Sequence, residues 1–133
     1  MRRKWLKFHL YNMKEPVKKI WRTVEINVAG QAPGRVATQI AKTLMGKHRA
    51  DYAPQEIGGD SVKVTHVREL KIAKRQLESK LYKRHSGYPG GLHESLMKDV
   101  WAKNPAEIIK KAVKRMLPVN RLRDVRMKRL TIE

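Results

Sequence analysis

Hydrophobic and polar positions along the chain follow two periods. Across residues 22–28 the repeat is two: Val24, Ile26 and Val28 fall on one side, with Thr23, Glu25 and Asn27 on the other. That alternation marks a half-buried strand. Gly30, Pro33 and Gly34 interrupt it. From Arg35 the repeat lengthens, with Val36, Ile40 and Leu44 four residues apart and flanked by Ala37 and Ala41. This predicts a helix buried along one stripe. Gly46 suits its C-terminal cap, and Lys47, His48 and Arg49 follow where a helix dipole favours positive charge. Residues 51–59 contain Pro54, Gly58 and Gly59 and read as a loop. Residues 61–67 alternate again around Val62 and Val64. Strand, helix, strand in this order predicts a parallel βαβ unit.

Further along, residues 81–85 suit a third strand, and residues 86–91 (Ser-Gly-Tyr-Pro-Gly-Gly) are too rich in Gly and Pro for regular structure. Leu96 with Val100, and Met97 with Trp101, predict a short helix. A longer one begins at Asn104, a good N-cap, with Pro105 in the first helical position and Glu107 completing a capping-box arrangement. Ile108, Ala112 and Met116 form one ridge, Ile109, Val113 and Leu117 the next, and Pro118 ends it. Lys110, Lys111, Lys114 and Arg115 occupy much of the remaining surface. Leu130 and Ile132 suit a short final strand. The expected organisation is a basic arm over residues 1–20 and a single α/β domain over residues 21–133.

Charge changes the picture more than length does. The 133 residues hold 31 Lys and Arg against 12 Asp and Glu, a net charge of +19. A compact domain of that charge repels itself unless a polyanion or salt screens it. Nucleic acid is the first expected partner, an anionic membrane the second. The basic residues fall in three clusters: the arm, residues 63–84 and residues 110–129. With no cysteine, disulfide scaffolds, thiolate-bound zinc and thiol catalysis are excluded. No apolar run approaches the roughly 20 residues that span a bilayer.

Candidate chemistry is sparse. Residues 30–35 (Gly-Gln-Ala-Pro-Gly-Arg) link a strand to a helix, yet they lack both the Gly-Lys-Ser/Thr ending of a P-loop and the Gly-x-Gly-x-x-Gly spacing of a dinucleotide site. A βα turn, or Arg35 on an RNA phosphate, fits better. The five histidines show no tight metal-ligand spacing. Asp51 and Asp60 flank one loop and suit turn formation or local charge balance better than catalysis. No nucleophile stands beside a base. Around residues 80–91, Tyr82, His85 and Tyr88 are interleaved with Lys80, Lys83 and Arg84 and followed by Gly90 and Gly91. Aromatics can stack on exposed bases while cations hold phosphate; they can equally pack on the domain itself.

An ordered set of short segments resembles large-subunit ribosomal protein thirteen over about residues 21–132. It comprises Trp21 before Val-Glu-Ile-Asn-Val-Ala at 24–29, Gly-Arg-Val-Ala-Thr at 34–38, Leu-Met-Gly-Lys at 44–47 and Tyr-Ala-Pro at 52–54. Gly59-Asp60, Lys-Leu-Tyr at 80–82, His-Ser-Gly-Tyr-Pro-Gly-Gly-Leu at 85–92 and Met-Leu-Pro at 116–118 complete it. Departures include Pro33 for a usual leucine, His66 for a usual asparagine, Ala73-Lys74 for a Thr-Gly turn, and Arg115 and Arg123 at usual glycine positions. The resemblance implies a three-layer α/β/α fold around a four-stranded, mainly parallel sheet. It also implies a structural role in the large ribosomal subunit, bound to its ribosomal RNA beside neighbouring ribosomal proteins and active in early assembly.

The combined expectation is a rigid wedge that clamps RNA at three places. Arg35, Lys47, His48 and Arg49 lie near the ends of the first helix. Lys80, Lys83, Arg84 and His85, with Gly90 and Gly91, form a second contact. Lys111, Lys114, Arg115, Arg121 and Arg123 form a third. No catalytic residue, cofactor, metal, membrane or small-molecule substrate is expected. The location is a cytoplasmic ribosome, with an organellar ribosome as the alternative. The competing reading from another class is a nucleotide-dependent α/β enzyme acting on RNA.

Overall fold

A computed structural model describes residues 21–133; the basic arm over residues 1–20 lies outside them. Its elements are β1 (Thr23–Asn27), α1 (Pro33–Met45), β2 (Ser61–Thr65), α2 (Lys74–Ser79), β3 (Leu81–His85), β4 (Leu92–Leu96), α3 (Met97–Lys103), α4 (Pro105–Met116), α5 (Leu122–Met127) and β5 (Leu130–Ile132). A 3-10 turn covers Val67–Glu69.

The parallel βαβ unit forms as the periodicity predicts, with Val24 opposite Val62 and Ile26 opposite Val64. β5 joins the free edge of β2, also parallel. Among the described residues the sheet has three strands in the order β1-β2-β5, while β3 and β4 form a separate antiparallel hairpin. This corrects the expected four-stranded sheet. β3 is a strand, but the Gly-rich turn after it lets the next segment fold back and take its hydrogen bonds.

The register puts Val24, Ile26, Val62, Val64, Leu130 and Ile132 on one face. Val36, Ala37, Ile40, Ala41 and Leu44 of α1 pack there together with Ile109, Val113 and Leu117 of α4. Each of the valines, leucines and isoleucines contributes about 1.5–3 kcal/mol on burial. The opposite face is polar: Thr23, Glu25, Asn27 and Thr131 are exposed. Among the described residues no hydrophobic cluster covers that face.

α4 is the hinge between the two sheets. Asn104 accepts a hydrogen bond from the Ala106 N–H and caps it. Its Ile109 ridge enters the main core. Ile108 enters a second cluster with Tyr82, Met97 and Val100, which anchors the hairpin. Met116, expected on a core ridge, is 49% exposed at the end of the helix. α1 begins at Pro33, two residues earlier than the pattern suggests, because proline fits the first helical position. Gly34 has open space around it, so packing does not demand glycine there. His66 adopts φ +61, a left-handed conformation enriched in Asn, Asp and His, so histidine serves where the resembled family carries asparagine.

Candidate nucleic-acid interface

The sequence-distant cations of the hairpin and of α4 meet in one place. Pairing of β3 with β4 sets Tyr82 opposite Ser95 and Arg84 opposite His93. These side chains face Glu107, Lys111 and Arg115 of α4 across a cleft of about 690 Å³, whose lining also includes Lys83. Tyr82 is buried at its base. The Lys111 ammonium lies 4.5 Å from its ring centroid and that of Lys80 5.6 Å. Burial pushes the Tyr82 phenol up, against the pull of Arg115, so the phenol stays neutral and contributes a ring face and a hydroxyl. Lys83 pairs with Glu94 at 2.9 Å and Lys111 with Glu107 at 2.9 Å. Arg84 and Arg115 are exposed.

A second cleft, of about 570 Å³, opens at the C-terminal ends of α1 and α4 and includes Lys47, Arg115 and Arg126. A third depression, of about 580 Å³, holds Arg35 with Lys71 beside Gly30 and Gln31. Residues of two expected contacts thus share the first cleft, and Arg115 belongs to both the first and the second. Arg35 stands apart. Lys114 and Arg121 are exposed, whereas Arg123 is half-buried with its Nε unpaired.

His48 and Arg49, expected on RNA, both pair with an acidic residue of the domain itself. Both bind the carboxylate of Asp60, which is 2% exposed; His48 Nε2 lies 2.9 Å from Oδ2, and Arg49 contacts Oδ1. The Arg22 backbone N–H also donates to Asp60 at 3.1 Å. Burial alone would raise the Asp60 pKa, but these partners together hold it below its ordinary value. Its stabilisation is complete above about pH 4, the ordinary carboxylate range, and is lost as pH falls through the lowered folded-state value. Asp60→Asn is expected to cost about 2 kcal/mol at pH 7, with the gap to the unmodified protein closing as pH falls below the ordinary carboxylate range. Thermal melts across pH 2–7 check this; a gap that widens in acid would contradict it.

The glycines of the hairpin tip shape the loop itself. Gly91 donates to the Tyr88 carbonyl at 2.9 Å and accepts from the Ser86 N–H at 3.0 Å, and a Cβ there would collide with the Ser86 hydroxyl. Gly90 is exposed at φ +74. The Gly87 N–H donates to His85 Nδ1 at 2.9 Å. Tyr88 is 77% exposed beside them, a free ring suited to base stacking.

Sequence reasoning missed Lys71, His93, Ser95 and Arg126. His93 and Ser95 were findable only from strand pairing. Arg126 sits in a cationic run that gives no sign of which member turns inward. Among the described residues no group of three His, Asp or Glu could hold a metal, and no helix is long and apolar enough to cross a membrane.

The sequence family described as ribosomal protein L13 matches residues 18–132. Large ribosomal subunit protein uL13 of Syntrophotalea carbinolica is 45% identical over 109 residues, 82% of this chain and 75% of that protein. Its namesake in Thermosipho africanus is 43% identical over 119 residues, 90% of this chain and 78% of that protein. The one in Aquifex aeolicus is 42% identical over 123 residues, covering 92% and 84% respectively. A match across nearly all of the described domain, in the same order as the segments that build the sheet, α1, the hairpin and α4, establishes that this chain belongs to the ribosomal protein L13 family.

Proposed function

We propose that the chain is a structural, non-catalytic component of the large ribosomal subunit in the cytoplasm, where it binds and stabilises large-subunit ribosomal RNA during early assembly and in translation. The supporting observation is the convergence of Lys83 and Arg84 with Lys111 and Arg115, about thirty residues away in sequence, on one cleft floored by an aromatic ring. A rigid domain that presents cations from separate segments can hold two RNA segments at a fixed spacing. Arginine forks bind phosphate bidentately, and lysines add looser neutralisation. Duplex regions are read by shape and backbone. The other face of the hairpin carries exposed Leu81, Leu92 and Leu96, an apolar surface that suits a neighbouring ribosomal protein.

The test is sedimentation of the tagged full-length chain from cell extract. It should travel with large subunits and their early precursors and remain there after a high-salt wash. Recovery as a ribosome-free monomer at low salt would refute the proposal.

A further inference from the structure

Two charged side chains are buried among the described residues, Asp60 and Arg126. Asp60 is fully engaged by Arg22, His48 and Arg49. Arg126, 1% exposed, has no such compensation. Its Nη2 donates to the Glu56 carbonyl at 3.2 Å, its Nε has no partner, and no carboxylate among the described residues forms an ion pair with it. Arg123 and Arg129 lie three residues to either side. Arg123 also has an unpaired Nε, and Arg129 stacks on the Trp21 ring at 3.7 Å and reaches the carbonyls of Gly58 and Gly59 at 3.4 and 3.5 Å. Burial, followed by the charge of Arg126, lowers the Arg129 pKa against the pull of Asp60, as two crowded cations require. A guanidinium removed from water is costly unless an anion meets it.

The cleft beside Arg126 can receive that anion. Among the described residues its walls carry Lys47, Arg115 and Arg126 and no acidic residue, unlike the hairpin cleft, where Glu107 takes part. Val119, 86% exposed, and Met116 give it an apolar rim. Lys47 follows the C-terminus of α1 and Arg115 lies in the last turn of α4, where the dipole independently favours cations; the decisive residue is therefore Arg126. We infer that this cleft seats a backbone phosphate of the bound RNA against the buried guanidinium of Arg126, with Lys47 and Arg115 closing over it. The inference rests on the RNA-binding reading and adds to it a specific, inward-facing anchor. An RNA phosphodiester carries the charge, and its ribose matches the apolar rim.

The test uses the full chain and Arg126→Met, which replaces a buried ion with an apolar side chain of similar length. Such replacements are commonly tolerated, so the variant should fold and melt at or above the original temperature without added anion. Inorganic phosphate, compared with chloride at matched ionic strength, should raise the melting temperature of the unmodified protein saturably and leave that of Arg126→Met unchanged. With a large-subunit RNA fragment, Arg126→Met should bind about tenfold more weakly, and its log–log salt slope should be shallower by about 0.7–0.9. Arg126→Lys, which keeps the charge without the fork, should retain the slope and lose part of the affinity. The phosphate arm reports the anion seat alone, and the RNA arm reports that its occupant is RNA. An unchanged salt slope in Arg126→Met would overturn the inference. So would a melting temperature raised by succinate but not phosphate, which would indicate an acidic peptide. A variant that melts far lower, with no phosphate effect on the unmodified protein, would make Arg126 a strut and overturn it too. Failure of the unmodified protein to bind the RNA, with the phosphate effect intact, would instead sink the RNA-binding reading.

Discussion

Replacing Lys83, Arg84 and Arg115 together with alanine is expected to weaken binding to large-subunit RNA by about a hundredfold at near-physiological salt. The three cations line one cleft but come from two elements joined only through the core. Each phosphate they neutralise releases bound counterions, so each contributes about 0.7–0.9 to the slope of log affinity against log salt. The triple variant should therefore bind with a slope shallower by about two. Stability should change by less than about 1 kcal/mol, because Lys83 and its partner Glu94 are 61% and 38% exposed and surface pairs of this kind contribute little. A matched variant, Lys42→Ala with Lys74→Ala and Lys128→Ala, removes three exposed cations that line neither cleft. Filter binding across salt concentrations separates the two. Equal losses in both variants would mean that net charge alone acts and that the cleft has no special role.

Gly59→Ala is expected to cost about 3–5 kcal/mol, a large part of the stability of a domain this size. Gly59 has φ +89, and a Cβ built on it would collide with the Leu44 carbonyl oxygen; Gly46, at φ +81, would place its own Cβ 2.6 Å from the Gly59 nitrogen. The C-terminus of α1 and the entry to β2 therefore cross backbone against backbone, and the Asp60 N–H donates to the Thr43 carbonyl at 3.2 Å. A methyl group at residue 59 must push these segments apart. That displaces the Asp60 carboxylate from Arg22, His48 and Arg49, so the strain and the lost ion pairs add. Gly34→Ala is the control. With open space and no left-handed backbone, that helical glycine should accept alanine with a gain of about 0.5–1 kcal/mol. Urea unfolding of the two variants checks both, and similar destabilisation in each would contradict the account.

Some of the molecule was readable residue by residue. The first strand and helix, the second strand, α4 with its cap and the final strand all carry a hydrophobic repeat, because each buries one side and exposes the other. The elements that escaped lack such a repeat. β4 is exposed along its whole length, α2 buries no residue, and α5 turns an arginine inward where an apolar side chain would have signalled a helix. Leu92–Leu96 consequently gave no strand signal, and only its leucine at 96 entered a pattern, as part of the helix that follows.

The chain's own residues determine that it is a basic α/β domain without thiol chemistry, with a glycine-punctuated βαβ start and a capped cationic helix. Those properties depend on near neighbours in sequence, where one side chain's size, charge or permitted φ decides the outcome. Tertiary structure alone decides that β3 pairs with β4 and not with the parallel sheet, and that Arg84 meets Arg115. It also decides that Arg49 pairs with Asp60 while, among the described residues, Arg126 lies buried without a carboxylate. Pairing and burial are set by competition among all segments for one core, and a cation's role depends on which acid, carbonyl or open cleft that competition leaves beside it.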